Sequence, residues 1–431
     1  MPDEHTLTEL ESGIRVVTER VPSVRSIAIG MWVRVGSRDE SIEQAGISHF
    51  LEHMLFKGTP DLNAEQIAQV FDGFGAEVNA ATSKETTVLH AHFLDEHLDD
   101  AFRVMSDMLL RSTYADMESE REVVLEEIAM YEDEPQDKVH DVLSRAIFGE
   151  HPLGRPVIGR GEVISSLSTS DVAGYHDDRY LPGSIVVAAA GNLEHPAIES
   201  LARQFTQPPK QNGSDPAGSR NGAGATAPAR EVVFHSKETE QYHICLGGPG
   251  ISRNDDRRFG LAILDAIIGG STSSRLFQEV REKRGLAYAV YSWSSQYTDT
   301  GQVGIYVGTR EDNLAEALAI AAEQIADIAD GGLRESELER AKENLKGRVL
   351  LSMESTSTHM NRLGKALITD SEILSLERIV AEVDAVEPEA VAELAGLLLA
   401  PERLSAAGIG PNEDRFLEAL EGVSPSLARA A

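Results

Sequence analysis

The sequence predicts an α+β protein built from two homologous tandem domains, each a largely antiparallel sheet flanked by helices. Three observations predict it. The chain has 431 residues, enough for at least two cores, with 41% hydrophobic residues, an ordinary globular share. Residues 207–228, rich in Pro, Gly, Ala, Ser and Asn, have almost nothing to bury and read as a flexible linker between domains at 1–206 and 229–431. The order of elements on either side of that linker recurs after about 216 residues, the mark of a duplicated unit.

The first half holds apolar or β-branched runs at Ile14–Val17, Ser26–Val35, Thr87–Phe93 and Ile185–Ala190, each short enough for a strand. The second repeats them at Glu231–Phe234, His243–Leu246, Leu286–Ser292 and Val303–Val307. In both halves one strand runs directly into a helical pattern, from Phe93 into Leu94–Phe102 and from Val307 into Thr309–Leu318. Both then reach an acidic helix, near Met117–Glu132 and from Glu335 to Leu351, and helical periodicity continues to Leu399. The strands are interleaved with helical connections of mixed character, which gives the α+β class.

Charge narrows the partners. Seventy-one acidic residues against 39 basic ones give a net charge of −32, a surface that repels phosphate backbones and anionic leaflets. Nucleic acid and membrane are therefore excluded as expected partners, and no run approaches the roughly 18 apolar residues of a membrane span. The same field attracts basic peptides, although an acidic surface also serves solubility alone. The single cysteine, Cys245, has no partner for a disulfide or a thiolate metal site. The acidic, polar opening Met1–His5 has neither a basic n-region nor an apolar h-region, so the expectation is an unprocessed, soluble, cytoplasmic protein.

One pentapeptide carries chemistry. His49-Phe50-Leu51-Glu52-His53 lies in a helical pattern opening near Gly46 and closing near Gly58. Spacing of i to i+4 puts both imidazoles on one helix face, where they can grip a divalent ion. Glu52, beside them, can act on water at that ion without being a ligand. This is the inverted H-x-x-E-H arrangement of zinc peptidases. Two histidines at the core edge of an amphipathic helix are the plainer alternative.

Zinc needs a third protein ligand. On the acidic helix, a helical projection puts Glu120 and Glu127 at the buried margin beside Met117, Val124, Ile128 and Tyr131, and its other glutamates toward solvent. Buried carboxylates require a cation or hydrogen-bond donors. Zinc at Glu127 with Glu120 in support satisfies that requirement, and local pairing with Arg121 or another basic side chain is the alternative.

Taken together, His49, Glu52, His53, Glu120 and Glu127 resemble the pitrilysin family of zinc peptidases, in the form found in bacterial relatives of mitochondrial processing peptidase. The resemblance covers essentially the whole chain. It implies one Zn2+ per chain on His49, His53 and Glu127, with Glu52 as general base and Glu120 supporting the site. It further implies that Arg281 and Tyr288, in Arg281-Glu282-Lys283-Arg284-Gly285-Leu286-Ala287-Tyr288, bind the peptide and stabilise the oxyanion. As bare sequence, those basic residues serve equally to complement a helix C-terminus while Tyr288 packs the sheet. Asn79, Ala80, Ala81 and Thr82 resemble the family's edge strand, to which an extended substrate adds by backbone hydrogen bonds. Offset by 216, the histidines land near Asp265 and Gly269, so the second domain lacks the metal residues. Gly269-Gly270 with the four residues that follow takes the place of a glycine-rich loop.

The activity implied is hydrolysis of unfolded or extended peptides, basic segments among them, by a homodimer in which the Arg281–Tyr288 pair of one subunit serves the zinc site of the other. The competing class is a non-catalytic scaffold like the core subunits of the respiratory ubiquinol-cytochrome c oxidoreductase. A scaffold has no physical need for His49, Glu52, His53 and Glu127 together.

Overall fold

The structure, a computed structural model, describes residues 5–205 and 230–429; the linker expected at 207–228 lies outside them. Residues 5–129, 155–205 and 351–375 cluster into one compact unit, and residues 130–154, 230–350 and 376–429 into a second. The units therefore do not follow the halves of the sequence, because each takes in one helix from the other half: Thr356–Ile368 in the first unit, Pro135–Phe148 in the second. The cause lies in the preceding elements. The helices Met117–Asp133 and Glu335–Ser352 have 17 and 18 residues, roughly 25 Å at 1.5 Å per residue. Each begins in one unit and ends in the other.

In the first unit β1 (His5–Glu9), β2 (Arg15–Arg20), β3 (Ser26–Val33), β4 (Glu77–Thr82), β5 (Thr87–Leu94) and β6 (Ile185–Gly191) form one sheet in the order β1-β2-β6-β3-β5-β4. All neighbours are antiparallel except β2 and β6. Strands β3 and β6 read as unbroken apolar runs because both faces of the sheet are covered. One face holds Ile27, Ile29 and Met31 against Phe50, Phe71 and Phe102 of the helices. The other packs Val17, Ala28, Trp32 and Val186 against Met360 and Leu363 of Thr356–Ile368. That helix approaches closely: a Cβ on Gly364 would stand 2.0 Å from Trp32 Nε1, so only glycine fits.

In the second unit β7 (Val232–Ser236), β8 (Tyr242–Gly250), β9 (Ala287–Gln296), β10 (Gly301–Thr309) and β11 (Ser405–Gly410) follow the order β7-β11-β8-β10-β9. Only β7 and β11 pair in parallel. This is the first sheet without β1, strand for strand, and β3 and β8 start at Ser26 and Tyr242, which is the offset of the sequence repeat. Both sheets are mostly antiparallel, as expected. Strand β11 was not anticipated. Its residues, Ser405-Ala406-Ala407-Gly408-Ile409-Gly410, are small and without alternation because it is buried throughout, and a Cβ on Gly408 would meet Phe416 at 2.8 Å. Strand β1 was missed as well, a short edge strand with Leu7 exposed. Among the described residues no helix is long and apolar enough to cross a membrane.

Candidate metal centre

The pentapeptide forms the helix Ile47–Met54, shorter than the stretch to Gly58 that its pattern suggested. Beyond Met54 the chain closes in tighter turns, with Phe56 N–H on the His53 carbonyl and Lys57 N–H on that of Met54, both at 3.2 Å. Ile47, Phe50, Leu51 and Met54 anchor one face in the core. The opposite face presents His49 and His53, ring centroids 4.8 Å apart and nearly perpendicular.

The helix Met117–Asp133 brings the third group. Glu127 Oε1 lies 3.6 Å from His49 Nε2 and Glu127 Oε2 lies 3.4 Å from His53 Nε2. Both gaps exceed a hydrogen bond, whose N···O distance is about 2.7 to 3.2 Å. Each gap, one to each Glu127 oxygen, is close to the roughly 3.3 Å between two donors of a tetrahedral zinc with ligands about 2.0 Å away. Among the described residues, His49, His53 and Glu127 are the group of side chains placed to hold a metal ion, with one ligand atom from each within 4.8 Å of the others. The chemistry of the donors fits as well. Burial first, and His53 second, push the His49 imidazole down to about 4, so it is neutral, and its buried Nδ1 has no hydrogen-bond partner among the described residues.

Glu120 is buried in the first turn of the same helix, with its Oε1 2.8 Å from His53 Nδ1 and its other oxygen paired with Lys57. A proton on Nδ1, donated to Glu120, leaves the His53 Nε2 lone pair facing Glu127. Arg121, the alternative partner for these carboxylates, instead turns to Glu118 and the carbonyls of Ile164 and Leu167. Lys57, four residues after His53 and one turn further along, is the other basic side chain that this alternative allowed, and it pairs with Glu120.

Glu52 is half-buried beside Glu127 and His53. Burial pushes its carboxyl up, while hydrogen bonds from the Thr82 hydroxyl and main chain pull it down. Thr82 ends β4, which is an edge strand, as expected from Asn79–Thr82. The turn after it is pinned by the buried pair Arg38–Glu85 at 2.7 Å. Next to β4 lies a cleft of about 850 Å³ lined by Phe56, Lys57, Phe71, Val78, Asn79 and His90.

In the second unit the helix Glu335–Ser352 keeps a buried first-turn carboxylate, Glu337, but surrounds it with Arg275 (2.8 Å) and Arg334, and seven residues on, the spacing that separates Glu127 from Glu120, stands Asn344. A guanidinium there does the neutralising that Lys57 does in the first unit. Arg281 and Tyr288 also belong to the second unit. Arg281 lies in a wide π-helical turn, Phe277–Glu282, and its guanidinium stacks 4.7 Å over Phe277 and 4.8 Å over Tyr288. Tyr288 is 75% exposed and so does not pack the sheet. The Gly269-Gly270 segment is a tight turn on the Asp265 carbonyl, and a Cβ on Gly269 would strike Ser292 N at 2.2 Å.

Comparison with known proteins decides the family. Residues 15–161 match the family model described as insulinase (peptidase family M16), and residues 166–345 match the M16 inactive domain. The chain belongs to peptidase family M16. An uncharacterized zinc protease of Bacillus subtilis is 42% identical over 89% of this chain and 93% of its own length. Another from Streptomyces coelicolor is 40% identical over 95% of this chain and 90% of its own. The fold is that of a Helicobacter pylori protease, with TM-score 0.86 and 20% identity, covering 95% of this chain and 99% of that one. The M16 assignment agrees with the asymmetry of the two units, one with a group of side chains that could hold a metal ion and one with an arginine beside its buried first-turn carboxylate.

Proposed function

We propose that this M16 zinc peptidase holds its Zn2+ on His49, His53 and Glu127, uses Glu52 as general base, and cleaves extended peptides laid along β4. The observation that carries the reading is the pair of 3.4 and 3.6 Å gaps between Glu127 and the two imidazoles. When bound, zinc supplies Lewis-acid chemistry, acidifying water and polarising a carbonyl. Glu52 takes the proton from the attacking water and returns it to the leaving amine. Glu120 holds His53 in the tautomer that leaves Nε2 free. An extended segment adds to the open edge at Asn79, Ala80, Ala81 and Thr82, and the adjacent cleft accepts side chains.

Arg281 and Tyr288 clamp the peptide and donate to the oxyanion. The pairing of Arg281 with an exposed tyrosine supports this role, since a residue kept for packing would be covered. In this reading they serve the zinc site of a second copy, so a homodimer is the active unit. The net charge of −32 favours basic peptide segments over acidic ones.

The decisive experiment combines metal analysis with hydrolysis of a quenched peptide, with and without chelator. One zinc per chain and chelator-sensitive cleavage support the assignment; zinc-free, inactive protein removes it. Matched Lys/Arg-rich and Asp/Glu-rich peptides should differ in kcat/KM at low salt and converge at high salt. Equal values at low salt end the basic-segment idea. Mixing Glu52→Gln with Arg281→Ala protein tests the shared site, because only a dimer joining both halves restores activity.

A further inference from the structure

The first four N–H groups of any helix lack partners within it, and a Ser, Thr, Asp or Asn at the cap position usually supplies one. The helix Ile47–Met54 has no such residue. Its cap position is Gly46, in a left-handed conformation with φ of 102°, and a Cβ there would stand 2.8 Å from the Gly159 Cα. A side chain at the cap position is thus barred by the backbone passing beside it.

The missing acceptor comes from six residues upstream. Glu40 Oε2 accepts the Gly46 N–H at 2.8 Å, and Glu40 Oε1 accepts the Ser48 N–H at 2.9 Å. Glu40 is 5% exposed. Burial pushes its carboxyl up to about 7, against the pull of these two donors, of Ser48 and of Arg155. Because the N–H groups address different oxygens, the arrangement suits the carboxylate; a protonated carboxyl would turn its hydroxyl against one of them. Two further elements hold the clamp. The Arg155 guanidinium donates to the Glu40 carbonyl at 2.6 Å, and the hydroxyls of Ser48 and the buried Tyr175 lie 2.9 Å apart.

His49 is the next residue after Ser48. On a helix of only two turns, the first turn sets the direction of that imidazole, and it has few hydrogen bonds of its own to resist fraying. We propose that Glu40 is a positioning residue for the metal centre: its buried carboxylate fixes the first turn of this helix, and thereby the angle at which His49 meets Glu127. The proposal rests on the assignment of zinc to His49, His53 and Glu127.

The test is Glu40→Gln, which keeps size but loses the charge and one acceptor. Zinc affinity is read by competition with a chromogenic chelator, kcat and KM at saturating zinc, and Tm alongside. The expected result is zinc binding about tenfold weaker and kcat reduced with KM unchanged, in line with the 10- to 100-fold effects of groups that orient metal ligands. Glu40→Asp, which keeps the charge with a shorter reach, should recover part of both. A lower Tm with unchanged zinc affinity and kcat makes Glu40 merely structural and overturns the proposal. If the glutamine variant does not fold, the aspartate variant is read by the same criteria. Wild-type protein that binds no zinc sinks the ligand assignment and the positioning role together. Wild-type protein that binds zinc, beside a variant that binds it equally well, sinks only the role of Glu40.

Discussion

His53 and Glu120 are joined at 2.8 Å through the imidazole nitrogen that points away from Glu127. That bond decides which nitrogen carries the proton, and so which can bind a metal. Glu120→Gln keeps an acceptor but loses the charge, and should raise the zinc dissociation constant about 10- to 100-fold in a chelator competition. Affinity equal to wild type would make Glu120 simply a partner for Lys57.

Glu52→Gln removes a proton acceptor and none of the three proposed ligands. It should retain one zinc per chain by elemental analysis while turnover falls by about two to four orders of magnitude. Loss of the metal together with activity would instead count Glu52 among the ligands.

The second unit makes a prediction about acid. Burial pushes the Glu337 carboxyl up, but hydrogen bonds from Arg334 and Arg275 outweigh it and hold the group at about 2, below its ordinary 4.5. A carboxyl with a lowered folded value contributes stability that is fully present above about 4.5 and is lost as pH falls toward 2. Denaturant unfolding at pH 7, 4.5, 3 and 2 should show that decline, and Glu337→Gln should flatten it while lowering stability at pH 7. A parallel decline in both proteins would assign it to other carboxylates.

Gly364→Ala sets a methyl group on top of Trp32. Overpacking of this kind costs about 1 to 3 kcal/mol, so Tm should fall and tryptophan emission should shift. Gly174, which has nothing within 4 Å of an added Cβ, is the control, and Gly174→Ala should be neutral or slightly stabilising. Equal effects at the two sites would contradict the close packing of Thr356–Ile368.

Much of this was legible in the sequence, and the remainder was hidden for definable reasons. His49, His53 and Glu127 come together in space because i to i+4 spacing and the buried margin of an acidic helix are local geometry, readable from 3.6 residues per turn. The duplication was readable too, since strand order follows the repeat. Glu40 was not: a cap supplied from six residues away has no pattern of its own, and only the backbone at Gly159 explains why the ordinary cap is missing. Strand β11 escaped because a strand buried on both sides by close neighbours is built of small residues, which carry no period. The helix exchange was equally hidden, since amphipathicity tells which face is covered but not by which part of the chain.

That exchange sets a limit on dissection. A polypeptide ending at residue 205 would contain His49, Glu52, His53 and Glu127, yet it would leave Trp32, Val17 and Val186 open to water where Met360 and Leu363 belong. Such a fragment should aggregate by itself and become soluble when the missing half is co-expressed, so cutting at the linker separates the sequence without separating two self-sufficient proteins.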